Sequence, residues 1–225
     1  MNDRIQNQIQ AVIFDMDGVL LDSEAVYEEG WRIAGEKKNL RGIDAFHKTI
    51  LGLSEQDTIA ALKKFYGHDF DGAEFWNLTT EISVEIMNRT GVPEKPFART
   101  TLESLKRKNI RLALASSSSR AIVQYLMEKA GLMEFFDVAI CGDEIKNAKP
   151  DPEIYTAACM KLNLSTSECI AVEDSPNGVK SAVAAGLKCI MIPDRVQPDE
   201  SIRKAAWKVL SSLKDIINLP CWVEH

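Results

Sequence analysis

The chain has no hydrophobic run approaching the roughly 20 residues that a membrane span takes; its apolar stretches are strand length. No C-x-x-C pair occurs among Cys141, Cys159, Cys169, Cys189 and Cys221. A scattered, odd-numbered set argues against both a disulfide framework and a zinc site, and these cysteines read as small hydrophobes. Histidine is scarce too, and His47 and His68 fall in no metal-like spacing, so both read as surface or capping residues. Basic residues are in the minority: net charge is −6, and residues 22–92 hold 13 of the 33 acidic residues but 8 of the 27 basic ones. A nucleic-acid partner calls for a basic face and is therefore not expected. The acidic segment reads as a solvated helical surface. Residues 1–7 show no apolar core of a signal peptide, and the expectation is a cytoplasmic protein with no membrane partner. At 225 residues, 45% hydrophobic and 27% charged, the chain has room for one α/β domain with a substantial insertion.

One stretch organises the rest. Ile9-Gln10-Ala11-Val12-Ile13-Phe14-Asp15-Met16-Asp17-Gly18-Val19-Leu20 is an apolar run broken by two carboxylates and a glycine. Its β-branched richness predicts a fully buried strand, and Gly18 permits a turn that a side chain would resist. Asp15 and Asp17, two apart, project to one side if the backbone stays extended. Like charges so placed call for a shared proton or a cation, and carboxylates suit a hard divalent ion such as Mg²⁺. A plain strand with an Asp-Gly turn accounts for these residues equally well.

The remaining chain separates the two readings. Residues 22 to 92 carry three helical patterns and no strand signal: Tyr27, Trp31 and Ala34; then Ile59, Leu62 and Phe65 after Ser54-Glu55-Gln56-Asp57; then about Glu74 to Met87. Gly91-Val92-Pro93-Glu94-Lys95-Pro96 punctuates the end. Beyond it, apolar strands Ile110–Ala115, Val138–Cys141, Cys169–Val172 and Cys189–Ile192 alternate with helices, one opening at Asp151-Pro152 and another at Ser175-Pro176. Five buried strands in this alternation predict an α/β fold with a doubly wound parallel sheet and an all-helical insertion. The boundaries are 1–21 plus 93–225 for the core and 22–92 for the insertion. Such sheets bind ligands beyond the carboxyl ends of their strands. There lie Asp15 and Asp17, Ser116 and Ser117, Lys149, and Glu173 with Asp174. Each alone has an ordinary explanation as a loop, turn or cap; together, at successive strand ends, they point to catalysis.

Those residues resemble the haloacid dehalogenase superfamily. Phe14-Asp15-Met16-Asp17-Gly18-Val19-Leu20-Leu21-Asp22-Ser23-Glu24 is similar to its first motif and Leu114-Ala115-Ser116-Ser117 to its second. Lys149-Pro150-Asp151-Pro152-Glu153 resembles the third, and Val172-Glu173-Asp174-Ser175-Pro176-Asn177-Gly178 the fourth. The resemblance implies a Rossmann-like core with a small helical cap over 22–92, as in the subfamily of β-phosphoglucomutase and sugar-phosphate phosphatases. It implies Asp15 as a nucleophile forming an aspartyl-phosphate, Asp17 as general acid and then base, and Ser116, Ser117 and Lys149 as phosphate ligands. Mg²⁺ would be held by Asp15, the carbonyl of Asp17 and Asp174, with Glu173 acting through water.

An acid at Asp17 favours phosphoryl transfer over dehalogenation within that family. The implied activity is hydrolysis of a small phosphomonoester, a sugar or polyol phosphate, by a monomer or small homo-oligomer whose cap excludes bulk water. The alternative is a β-phosphoglucomutase-type mutase. The histidine, lysine and arginine with which that mutase holds its phosphosugar fall at Tyr27, Leu51 and Glu55, so its signature is absent. Arg120 keeps a basic residue after the second motif, a feature too widely shared to restore it. Leu51, Ser54 and Glu55 are the candidate leaving-group contacts. A signalling module phosphorylated on aspartate shares the sheet, acidic pair and Lys-Pro, but takes its phosphate after the third strand, where this chain has Cys141-Gly142-Asp143.

Overall fold

The computed structural model describes residues 9–50, 53 and 55–222. The chain divides into two compact units, Met1–Leu21 with Pro93–His225, and Asp22–Val92.

The first unit is built on a six-stranded parallel sheet. Its elements are β1 (Ala11–Phe14), α5 (Ala98–Arg107), β2 (Arg111–Ser116), α6 (Arg120–Lys129), β3 (Val138–Cys141), α7 (Glu153–Leu162), β4 (Cys169–Glu173), α8 (Pro176–Ala184), β5 (Lys188–Met191), α9 (Glu200–Ala205) and β6 (Lys208–Val209). The spatial order is β3-β2-β1-β4-β5-β6. Phe14 lies in register with Leu114 on one side and Val172 on the other, so β1 is central. After β3 the chain crosses to the far side of β1, and the carboxyl ends of β1 and β4 flank that reversal.

Strand residues alternate between two apolar faces. Ala11, Ile13, Ala113, Ala115, Ala171 and Cys189 pack with Tyr155 and Ala158 of α7 and Val179 and Ala182 of α8. Val12, Phe14, Leu112, Leu114, Ile170 and Val172 point the other way and are also buried. A sheet covered on both faces explains why the strands read as continuous hydrophobic runs. The doubly wound parallel sheet is as expected, with one addition: the two-residue edge strand β6. Four cysteines are buried and free, and Cys221 is half-buried. Helix α7 starts one residue later than Asp151-Pro152 suggests, although Asp151 Oδ1 still accepts from Glu153 N at 3.0 Å. At α8 Ser175 is the cap, accepting from Gly178 N at 3.1 Å.

The second unit contains α1 (Ser23–Lys37), α2 (Ile43–Ile50), α3 (Glu55–Tyr66) and α4 (Gly72–Thr90). Three patterns were expected here, and α2 is the additional helix. Trp31, Phe46, Leu62, Phe75 and Ile82 form its core. His47 corrects the surface reading: it is buried, with its ring 5.1 Å from that of Trp31, because α2 turns its Phe46–His47 face inward. His68 is exposed. Among the described residues no helix is long and apolar enough to cross a membrane.

Candidate active site

The site grows out of the end of β1. Asp15 N still donates to Val172 O at 3.0 Å, so the backbone stays in the sheet up to the first carboxylate. The chain then folds into a tight loop: Leu20 N and Leu21 N both donate to Met16 O, and Gly18 N donates to Leu21 O. Gly18 makes this possible with φ +75°, a conformation that side chains resist. Leu20 and Leu21 lead out of the first unit and residues 93–95 lead back. The two passages meet in an antiparallel bridge between Leu21 and Glu94, with Lys95 N donating to Leu20 O at 2.8 Å. Lys95 Nζ in turn donates to Asp194 Oδ1 beyond β5, also at 2.8 Å.

Lys149 is the hub. Its three ammonium protons have three buried acceptors: Asp15 Oδ1 at 2.5 Å, Glu173 Oε1 at 2.7 Å and Ala115 O at 2.9 Å. The ends of β1, β2 and β4 are thereby tied to the loop before α7. Burial by itself would lower the Lys149 pKa; the facing Asp15 and Glu173 charges outweigh that and raise it. Asp15 is pushed up as well, for a different reason. Burial raises its pKa to about 8, with Glu173 and Asp17 adding to the rise and Lys149 opposing it.

Glu173 is enclosed. Oε1 also accepts from Tyr155 Oη at 2.6 Å, while Oε2 accepts from Asp174 N at 3.2 Å and Ser175 Oγ at 3.3 Å. A Cβ on Gly178 would lie 1.9 Å from Glu173 Cδ, so only glycine leaves room for this carboxylate. Burial, followed by the neighbouring Glu173 and Asp15 charges, raises the Tyr155 pKa and keeps the phenol protonated. The carboxylates of Asp15, Glu173 and Asp174 offer oxygens all within 4.8 Å of one another. An all-oxygen set with an excess of negative charge fits a hard divalent cation such as Mg²⁺.

Asp17 accepts a hydrogen bond from Ser118 Oγ at 3.2 Å. Ser118 N donates to Ser116 Oγ at 3.1 Å, and Ser116 is buried at the end of β2. The structure thus brings Asp15, Lys149, Glu173 and Asp174 into one cluster and links Asp17 with Ser116 through Ser118. Ser117 is exposed. Glu55 is the exposed first residue of α3, whereas Leu51 and Ser54 lie outside the described residues. Arg120 is engaged elsewhere, by Glu144 Oε2 at 2.6 Å and Ala139 O at 2.6 Å. Ser118 and Tyr155 were not singled out from the sequence. A tyrosine on the otherwise apolar inner face of α7 was the available signal, because a buried hydroxyl requires a partner.

A doubly wound α/β protein with an acidic cluster and a buried lysine at its topological switch point has the layout of a phosphoryl-transfer enzyme. The family follows from comparison: residues 9–186 match the model of the haloacid dehalogenase-like hydrolases, and the chain belongs to that family. The chain is similar to the phosphorylated carbohydrates phosphatase of Thermotoga maritima, 31% identical over 94% of this chain and 98% of that protein. It is also 31% identical to the phosphatase candidate YhcW of Bacillus subtilis, over 84% of this chain and 85% of that one. A solved structure of a β-phosphoglucomutase candidate from Thermotoga maritima superposes with a TM-score of 0.78 at 31% identity, covering 93% of this chain and 97% of that one. The expectation of a hydrolase from this family is borne out.

Proposed function

We propose that the protein is a Mg²⁺-dependent phosphatase that hydrolyses a small phosphomonoester, a sugar or polyol phosphate, through an aspartyl-phosphate on Asp15. The observation that carries this reading is the Lys149 ammonium held between Asp15 and Glu173, with the Asp174 carboxylate in the same cluster. Asp15 and Asp174, with the Asp17 carbonyl, would hold the ion, and Glu173 would support them through water. Bound there, Mg²⁺ supplies positive charge against the repulsion between carboxylate and phosphoryl oxygens.

The protein's own groups do the rest. A carboxylate oxygen of Asp15 attacks phosphorus; the Asp15–phosphoryl bond forms as the ester P–O bond breaks. Asp17, oriented by Ser118, gives its proton to the departing alkoxide. It then takes a proton from the water that attacks the phosphoryl group, releasing inorganic phosphate and restoring Asp15. Lys149 presents its positive charge to the phosphoryl group and Ser116 donates to the phosphoryl oxygens, with Ser117 beside them. The core of 1–21 plus 93–225 carries this chemistry, and 22–92 is its cap, with Leu51, Ser54 and Glu55 as leaving-group contacts.

The likeness to a β-phosphoglucomutase candidate makes the mutase the second reading. A phosphate-release screen over sugar, polyol, glycolytic and nucleotide monophosphates, with and without Mg²⁺, tests the first. Metal-dependent release that is lost in Asp15→Asn is the expected result. Glucose 6-phosphate formed from β-glucose 1-phosphate and a trace of the 1,6-bisphosphate, with no free phosphate, would overturn it in favour of the mutase.

A further inference from the structure

Glu173 Oε1 receives two hydrogen bonds in a fully buried position, one from Lys149 and one from the Tyr155 hydroxyl. Both donors belong to one stretch of chain: Lys149 precedes α7 and Tyr155 lies in its first turn. The acceptor ends β4, 24 and 18 residues further along the chain. The Tyr155 ring adds a second contact, with Lys149 Nζ 5.2 Å from its centroid. Tyr155 is completely buried, so its hydroxyl has no solvent to turn to.

We infer that Tyr155 is a positioning residue for phosphoryl transfer, whose hydroxyl fixes the Glu173 carboxylate and thereby aims the Lys149 ammonium at Asp15. Among the described residues Oε2 is held by two longer bonds, from Asp174 N and Ser175 Oγ, at 3.2 and 3.3 Å. Without the 2.6 Å bond from Tyr155, the carboxylate is held on its other oxygen by Lys149 alone, and the two charged groups can shift together. Lys149 can then drop its bond to Asp15 while keeping Glu173. An ammonium is a rotatable point charge with no planar fork to fix its direction, so its aim depends on its anchor. Groups one step removed from the reacting atoms, acting in this way, typically matter by about 10- to 100-fold.

Tyr155→Phe keeps the ring over Lys149 and removes only the hydroxyl. The inference rests on the phosphatase reading for its kinetic arm, and a spectroscopic arm is independent of turnover. In metal-free protein the Lys149 ammonium should give a protected ¹H–¹⁵N side-chain signal, identified by its loss in Lys149→Arg, because all three protons are bound. Tyr155→Phe is expected to shift or broaden that signal. It should also lower kcat by about 10- to 100-fold, with KM within about twofold and the thermal transition lowered by only a few degrees. An unchanged ammonium signal, or an unchanged kcat in the folded variant, overturns the inference. So does a loss of kcat accounted for entirely by unfolded protein. If the wild type releases phosphate from no ester in the screen, the functional reading fails, and the ammonium signal still decides whether Tyr155 holds Lys149 in place.

Discussion

The carboxylate of Asp174 fills the space that any side chain at position 18 would need. A Cβ built on Gly18 would stand 2.3 Å from Asp174 Oδ2 and 2.8 Å from its Cγ. The first turn after β1 and the acidic pair after β4 therefore fit together only if residue 18 has no side chain.

Gly18→Ala tests that fit. The left-handed backbone costs about 1–2 kcal/mol for a residue with a Cβ, and the clash must displace the Asp174 carboxylate. Stability measured by urea denaturation should fall by about that amount. Mg²⁺ affinity, read by titration calorimetry, should fall by more than tenfold.

Removing the two aspartates of the first turn should have different effects. Asp15→Asn is expected to abolish phosphate release. Asp17→Asn leaves the backbone carbonyl in place, so metal binding should persist while kcat drops by about 10²- to 10⁴-fold, the usual worth of a general acid–base group. A loss of tenfold or less in Asp15→Asn would rule out its role as nucleophile.

Ser118→Ala removes the donor to Asp17 without touching the acidic cluster. The expected result is a fall in kcat of about tenfold, equivalent to roughly 1.4 kcal/mol, with Mg²⁺ affinity unchanged. Steady-state kinetics at saturating metal distinguishes this from a general loss of fold.

The pH dependence follows from Asp15, whose pKa is raised mainly by burial, from 3.8 to about 8. A group raised in the folded state contributes stability at low pH that is lost as pH rises toward its folded value. Metal-free wild type should therefore lose stability relative to Asp15→Asn between about pH 4 and 8 in denaturation experiments. Divalent-ion binding needs the ionised carboxylate and must displace its proton. Affinity should rise with pH up to about 8 and then level off, with proton uptake by the buffer detectable calorimetrically.

The parts legible in the sequence were those carried by local pattern. Buried strands such as Ile110–Ala115 are continuous apolar runs, and the polar residues that end them stand out at once. β6, only Lys208–Val209, is too short to leave a period. α2 does carry Ile43, Phe46 and Ile50 at helical spacing, but it spans only eight residues between two stronger patterns. His47 shows the limit of residue type as a guide: a polar ring can be buried when an aromatic neighbour such as Trp31 takes its face. Arg120 shows another, since its partner Glu144 lies on a different element and no spacing announces the pair. Asp15, Glu173 and Asp174 stand out because each sits at a strand end, and Lys149 because it follows one in a Lys-Pro loop; Tyr155 does not, because it reaches the same edge from the face of a helix.

The bridge between Leu21 and Glu94 has a consequence for how such a chain can be altered. Paired residues in an antiparallel bridge lie about 5 Å apart at their Cα atoms, so the entry and exit of the 22–92 insertion are nearly one point on the parent scaffold. A graft there need not rethread any strand: a tight loop of a few residues, or a different helical module, can be spliced between the same two positions. Exchange of the 22–92 unit can thus leave the strand order of the parent sheet intact.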